Sequence, residues 1–462
     1  MGDQDDALAS QLERVLTDRT GAPVHVTDLS RLSGGASRET WAFEALVEDP
    51  DGGGPSRRAL VLQRERPGGT RTGSGMASEG GLLRAAAAAG VPVATVVATD
   101  DGGDELGAPF IVMERVDGET IPRRILRDDA YAGARTHLAR QAGAALASVH
   151  RIDPASVEGL VAEDQVTQFR ELLDLLGEPH PAFELGLRWL ESNRPRVSRV
   201  GVVHGDFRLG NLIVGPDGLR AVLDWELAHL GDPVEDLGWF CVRAWRFGSP
   251  LVAGGVGMVD DLIEGYLAAG GAPVSREDLR WWEAMGTLKW GVMCIIQAAT
   301  HLGGSSRSVE LAAIGRRTAE NEEDLLELIA GPSDIEPATA VASSTDVGDP
   351  PHDRPTSAEL LEAVAEYLAQ LRDSVPGRQG FMARVAANVV ATVRRELELG
   401  PAQAIAHRER LAALGVADDA ELAAAIRSGD LDDRTDEVTL AVRASVRDKL
   451  AVANPGYWVH PS

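Results

Sequence analysis

Residues 202–224, VVHGDFRLGNLIVGPDGLRAVLD, constrain this chain more than any other stretch. Two short apolar runs, Val202–Val203 and Leu212–Val214, flank a polar loop that carries His204, Asp206 and Asn211. A GPDG turn then leads into a third apolar run that ends at Asp224. Runs this short, bounded by turn residues, fold as strand, loop, strand and hairpin return, not as a helix. That order brings Asp206, Asn211 and Asp224 together at the rim of a small sheet.

Those three residue types suit phosphoryl transfer. The transition state spreads negative charge over the transferred group, so a site must hold Mg²⁺ and orient the nucleophile. Asn211 offers a neutral oxygen and Asp224 a charged one, the hard ligands that Mg²⁺ takes. Asp206, with no metal to hold, can accept the proton of an attacking hydroxyl.

The rest of the chain frames this stretch. Residues 5–18 have helical spacing, and VHVTDLSRL, ETWAFEALV and RALVLQ read as strands separated by glycine-rich turns. SEGGLLRAAAAAG (78–90) reads as a helix, and VATVVATD and PFIVMERV as two further strands. From about 120 the pattern is mostly helical. Residues 331–355 are rich in Pro, Ser, Asp and Ala without periodicity, as in a linker. The last region is all helical: Thr356 and Glu359 have capping-box spacing, and a second helix is expected to stop at Gly400-Pro401.

The net charge of −26, from 71 acids against 45 bases, argues against a nucleic-acid or anionic-membrane partner. Cys241 and Cys294 form no C-x-x-C pair and read as buried apolar residues in a reducing compartment. MGDQDDALAS lacks the basic and apolar regions of a signal peptide, and no apolar stretch is long enough to span a bilayer, so a cytoplasmic location is expected.

VVHGDFRLGNLIV followed by AVLDWELAHLGDP resembles the aminoglycoside phosphotransferase and choline kinase-like family, relatives of the protein kinases. The likeness covers roughly residues 20–330 and rests on two motifs, H-G-D-x-x-x-x-N and L-D-W-E, in the family's order and spacing. It implies an α+β, two-lobed protein-kinase-like fold, with a small antiparallel-sheet N-lobe and a mainly helical C-lobe, followed by a C-terminal all-α domain. The expected boundaries are an N-terminal helix at 1–20, the N-lobe at 21–117, the C-lobe at 118–330, a linker at 331–355 and a helical accessory domain at 356–462. The cofactors implied are ATP and Mg²⁺. Asp206 matches the catalytic base, and Asn211 and Asp224 match the Mg²⁺ ligands. His204 and Asp236 match the residues that orient and brace the catalytic loop. Gly205 stands where many protein kinases have Arg, and no A-P-E segment follows, which speaks against a protein kinase.

In the first lobe LSGGASRETW (32–41) matches the phosphate-covering loop, with Gly34, Gly35, Ser37 and Arg38 near the phosphates. The third strand should carry a Lys, but LVLQRERP offers only Gln63 and Arg64. Alternation puts Leu60, Leu62 and Arg64 on one face and Val61 and Gln63 on the other. Arg64 is the candidate cation, with Glu79 as its ion-pair partner. FIVMERV matches the hinge, with backbone from Glu114 to Val116 reading adenine.

RERPGG, AAGVPV, VMERVDGETIPRRIL and LDWELAHLGDP are similar to the kinase domains fused to, or encoded beside, acyl-CoA dehydrogenases. That likeness implies a hydroxyacyl-CoA acceptor and an acyl-CoA dehydrogenase partner. Arg123, Arg124 and Arg127 are either a solvated helix start or a dock for the phosphates of coenzyme A. Two other functions fit the residues: an aminoglycoside-type kinase, and a nucleotide-binding pseudokinase that serves a dehydrogenase as scaffold.

Overall fold

The computed structural model describes residues 2–32, 38–49, 54–65, 75–162, 164–196, 200–338 and 355–457. In chain order the first elements are α1 (Gly2–Thr20), β1 (Val24–Leu32), β2 (Arg38–Val47), β3 (Ser56–Glu65), α2 (Met76–Ala88), β4 (Val96–Asp100) and β5 (Phe110–Glu114). Next come α3 (Pro122–Arg127), α4 (Ala132–Arg135), α5 (Leu138–Val149), α6 (Gln165–Leu176), α7 (Pro181–Ser192), β6 (Gly201–Val203), β7 (Leu212–Gly215), β8 (Gly218–Val222) and β9 (His229–Gly231). The remainder is helical: α8 (Val234–Cys241), α9 (Val259–Ala268), α10 (Arg276–Leu302), α11 (Val309–Gly315), α12 (Thr318–Ala330), α13 (Ser357–Ser374), α14 (Gly377–Leu414), α15 (Asp419–Ser428) and α16 (Thr435–Ala453). This is a protein-kinase-like α+β fold with an N-terminal antiparallel sheet. Among the described residues no helix is long and apolar enough to cross a membrane.

Two compact units form: Met1–Glu163 with Arg196–Glu283, and Asp164–Pro195 with Ala284–Ser462. They interleave along the chain and do not follow linear boundaries at 118, 330 and 356.

In the first unit the sheet order is β1-β2-β3-β5-β4, all neighbours antiparallel. Period-two alternation gives each strand two apolar faces. Leu60 and Leu62 of β3 join Trp41, Phe43, Phe110 and Val112 under Leu8, Leu12 and Leu16 of α1. Val61, Ile111 and Met113 point the other way, to Met76, Leu82 and Leu83 of α2. Below the sheet, β6 pairs with β9 and β7 with β8, the two short ribbons that the sequence pattern requires. Helices α5 and α9 touch through backbone: a Cβ at Gly143 would lie 2.1 Å from the Leu262 carbonyl oxygen.

In the second unit α12 carries an acidic stretch, Glu320 to Asp324, that is buried throughout. Burying a carboxylate is costly unless it is paired. Glu322 accepts from Lys449 at 3.0 Å and pairs with His180 at 2.8 Å, and Glu323 accepts from Arg447 at 2.7 Å. These pairs tie α12 and the start of α7 to α16, so helices before and after the linker share one core. The expected stop at Gly400-Pro401 does not occur, because α14 runs through Pro401. A mid-helix proline costs about 3 kcal/mol, and packing on α16 offsets it: Arg395 donates to the Val452 carbonyl at 2.6 Å and Gln403 to that of Asp448 at 3.1 Å. The capping box at Thr356 and Glu359 closes as the sequence spacing requires.

Candidate active site

Strand β6 delivers the chain into a loop that Asp236 holds from below. Asp236 sits in the first turn of α8, fully buried, and accepts from the backbone N–H of His204 at 2.8 Å and of Gly205 at 2.9 Å. His150 Nε2 reaches the same carboxylate at 3.1 Å. Burial alone would raise the pKa of Asp236; the His150 bond and charge, with His204, more than reverse this and hold it below the usual carboxylate range. The Asp206 N–H donates to His204 Nδ1 at 3.2 Å, which leaves the proton on Nε2, and Nε2 donates to the Leu223 carbonyl at 3.0 Å. Burial pushes the His204 pKa down, so the ring is a neutral strut between the two motifs. Gly205 has φ +80°, and a Cβ there would meet the Leu227 carbonyl oxygen at 2.3 Å. Only glycine fits this position.

Asp206 faces three side-chain donors. Its Oδ1 accepts from Trp239 Nε1 at 2.9 Å, and its Oδ2 from Asn211 Nδ2 at 2.6 Å. Arg208 Nε lies 3.0 and 3.1 Å from the two oxygens. The Arg208 guanidinium stands over the Trp245 ring, 4.9 Å from its centroid. With its amide nitrogen on Asp206, Asn211 has Oδ1 left for another ligand. The Asn211 carbonyl accepts from Leu223 N–H at 2.8 Å, which ties the loop to the segment that ends at Asp224. Asp224 has φ +64°, a conformation that costs of order 1–3 kcal/mol for a residue with a side chain and that recurs at functional sites. Trp225 packs beneath, its ring 4.7 Å from that of His204.

The donor set fits Mg²⁺. Burial raises the pKa of Asp224, the charge of Asp206 adds to it, and Arg38 opposes. Glu226 is raised by burial and then by Asp224. Crowded acids of this kind favour a bound cation. Among the described residues no group of three or more His, Cys, Asp or Glu could hold a metal alone. Asn211 Oδ1 and Asp224 would therefore supply two oxygens, with phosphate and water oxygens for the rest, the manner in which Mg²⁺ is usually held.

The first-lobe expectations need correction at Arg64. Its side chain lies on the α1 face with Leu60 and Leu62, donates to Glu39 at 2.7 Å and to the Leu106 carbonyl at 2.9 Å, and does not meet Glu79. The α1 helix had to cover one face of β3, and it covers the one that Arg64 shares. Glu79 is instead gripped by Arg38, with contacts of 3.1 and 2.8 Å, and Arg38 also lies 3.5 Å from Glu226. Gln63 is paired with Thr40 and Ile111 on the α2 face. Gly34, Gly35 and Ser37 lie outside the described residues. The Glu114 side chain turns outward to Arg58 at 2.9 Å, while its N–H donates to the Thr95 carbonyl. Among the described residues Val116 N–H has no partner, and it stands two residues past the end of β5.

The three arginines of α3 are exposed. Arg124 pairs with Glu119 at 3.1 Å. Arg127 lines a cavity of about 470 Å³ with Arg135, Leu126, Phe247, Leu251 and Val256. The other end of α3 adjoins the loop of Asp206 and Asn211: Pro122 Cγ is 3.8 Å from where a Cβ of Gly210 would stand.

A model of the phosphotransferase enzyme family matches residues 28–282, more than half of the chain. The chain belongs to the phosphotransferase enzyme family. A second model, a domain of unknown function (DUF6285), matches residues 373–457 of this phosphotransferase. Acyl-CoA dehydrogenase family member 10 of Mus musculus is 31% identical over 266 residues, 54% of this chain and 23% of that protein. A probable acyl-CoA dehydrogenase of Arabidopsis thaliana is 28% identical over 240 residues, 46% of this chain and 28% of its own length. The matched part is thus under a third of either relative. A solved protein of Ralstonia eutropha, named as a candidate aminoglycoside phosphotransferase, superposes with a TM-score of 0.55 at 22% identity, over 69% of this chain and 97% of its own. That likeness is one of fold.

The site also holds residues that sequence reasoning passed over. Arg208 and Trp239 both touch Asp206. Trp239 stands three residues after Asp236 on α8, so both face the loop from one side of a helix; that spacing was available in the sequence. His150 is the buried partner of Asp236 and of the Tyr266 hydroxyl, the latter at 3.0 Å.

Proposed function

We propose that this phosphotransferase moves the γ-phosphoryl of ATP to a hydroxyl of a small molecule, with a hydroxyacyl-CoA as acceptor. The observation that carries the reading is the fixed Asp206 carboxylate, held by Trp239 and Asn211 and tied through Asn211 to Leu223, the residue before Asp224. The substrate ATP supplies the phosphoryl; Asn211 Oδ1 and Asp224 would hold Mg²⁺, which would supply charge neutralisation at the phosphates. Asp206 orients the acceptor hydroxyl and takes its proton as the new O–P bond forms and the bond to ADP breaks. His204 and Asp236 keep the loop still. Asn211 fixes one carboxylate oxygen and Trp239 the other, so the carboxylate is presented in a constant direction.

The acceptor class rests on three supports. The relatives in mouse and Arabidopsis bear acyl-CoA dehydrogenase names. The cavity beside α3 combines Arg127 and Arg135 with an apolar wall, which suits phosphates at one end and an acyl chain along the other. Phe247 on that wall follows directly on the turn that sets Trp245 under Arg208. The protein then works in the cytoplasm beside an acyl-CoA dehydrogenase. Incubation with ATP, Mg²⁺ and a 4-hydroxyacyl-CoA should yield a phosphate ester, seen by phosphorus NMR. An ester formed with an aminoglycoside and none with the thioester would overturn this acceptor. Gln63 on the α2 face favours a second reading, a nucleotide-binding scaffold, which would bind ATP and turn over no acceptor.

A further inference from the structure

The third strand offers no cation to the nucleotide, yet α2 presents a buried carboxylate, Glu79, only 4% exposed. A buried carboxylate needs a partner, and a triphosphate needs cations. We propose that one residue serves both: Arg38, at the start of β2, is the cation that binds the α- and β-phosphates of ATP, in place of any basic residue on β3. This rests on the phosphotransferase reading above.

Four observations carry it. First, strand register puts Arg38 on the same face as Thr40 and Gln63, the face turned to α2. Second, Arg38 donates one hydrogen bond to Glu79 at 3.1 Å, and its other terminal nitrogen lies 2.8 Å from the second, otherwise unpartnered carboxylate oxygen. Third, Arg38 lies 3.5 Å from Glu226, two residues after Asp224, so it stands at the metal end of the site. Fourth, Arg208, the arginine of the Asp206 loop, is engaged on Asp206 at 3.0 Å. Arg64 is excluded by its place on the α1 face. A guanidinium has five N–H donors. Among the described residues Arg38 Nε has no partner, so capacity remains for phosphate oxygens.

The same residue then links three parts of the first unit: β2, α2 and the segment after Asp224. Glu79 is the positioning residue, which holds the guanidinium plane in the orientation that phosphate would meet. Gln63 occupies the site a strand lysine would use and contributes no charge.

The test is binding of Mg·ATP, Mg·ADP and adenosine by calorimetry to the full chain. Arg38→Gln should weaken ATP and ADP by about 10- to 100-fold, the loss of one charged hydrogen-bonding group, and leave adenosine unchanged. Arg64→Gln should bind all three as the wild type does. Arg38→Gln combined with Gln63→Lys should regain most of the phosphate affinity, and Arg38→Lys should lose only a fewfold. These last two variants also serve if Arg38→Gln alone misfolds. Wild-type affinity in Arg38→Gln, an equal loss for adenosine, or a loss in Arg64→Gln would overturn the assignment. Absence of ATP binding by the wild type would instead overturn the phosphotransferase reading on which it rests.

Discussion

Replacement of Gly205 by alanine tests how tightly the catalytic loop is specified. Two separate terms act at this position. The backbone has φ +80°, and a left-handed conformation costs a residue with a Cβ roughly 1–2 kcal/mol. The new Cβ would also stand 2.3 Å from the Leu227 carbonyl oxygen and 3.0 Å from its carbon. Backbone cannot swing aside as a side chain can, so overpacking adds about 1–3 kcal/mol. The total is about 2–5 kcal/mol. Gly90 provides the control within the same unit: its φ is +88° and a Cβ there meets nothing within 4 Å. Gly90→Ala should therefore cost only the first term, about 1–2 kcal/mol. Alanine restricts the unfolded chain equally at both sites, so that contribution cancels in the comparison. Urea unfolding of both variants measures the difference, expected at about 1–3 kcal/mol. Gly205→Ala should also lose turnover by more than tenfold while keeping ATP binding, because Asp206 follows directly. Equal stability of the two variants would show that the Leu227 contact does not constrain the loop.

Asp236→Asn should destabilise the first unit by about 3–5 kcal/mol, because one of the buried His204 and Gly205 N–H groups would then face an amide N–H; unaltered denaturation would refute the brace. Glu322 governs acid stability in the second unit. Burial would raise its pKa, but Lys449 and then His180 reverse this and hold it at about 2, against an ordinary 4.5. The unfolded chain therefore binds the proton first as pH falls. The stabilisation, about 3 kcal/mol, is complete above pH 4.5 and is lost between there and pH 2. Urea midpoints of wild type and Glu322→Gln across that range should diverge above pH 4.5 and converge at the acid end. A chain cut after residue 338 should leave Glu322 and Glu323 without Lys449 and Arg447, and its helices α7 and α12 should lose cooperative unfolding by circular dichroism.

Much of the site was legible because its chemistry is local. His204, Asp206, Asn211 and Asp224 lie within one short stretch whose strand-and-turn pattern fixes their order, and the structure bonds the first three in sequence and ties His204 and Asn211 to Leu223, beside Asp224. The first-lobe strands were equally plain from alternation. Arg64 was not, since alternation says which residues share a face but not which face a distant helix will cover. Leu12 and Leu16 of α1 decide that, some fifty residues upstream. The same holds for Pro401: its local signal ends a helix, and only contacts from α16 reverse it. The run Glu320–Asp324 reads in sequence as a solvated helix face. Its burial depends on Arg447 and Lys449, more than a hundred residues later, and no spacing rule reaches that far.

The central claim is that Asp206 is the base of an ATP-dependent phosphotransferase. Its most direct test is ADP release by the full chain with ATP, Mg²⁺ and a 4-hydroxyacyl-CoA, beside Asp206→Asn, with ATP binding measured for both. The account predicts acceptor-dependent release by the wild type, none by the variant, and the same ATP affinity in each. Equal release by both proteins would remove Asp206 from the mechanism and contradict the account.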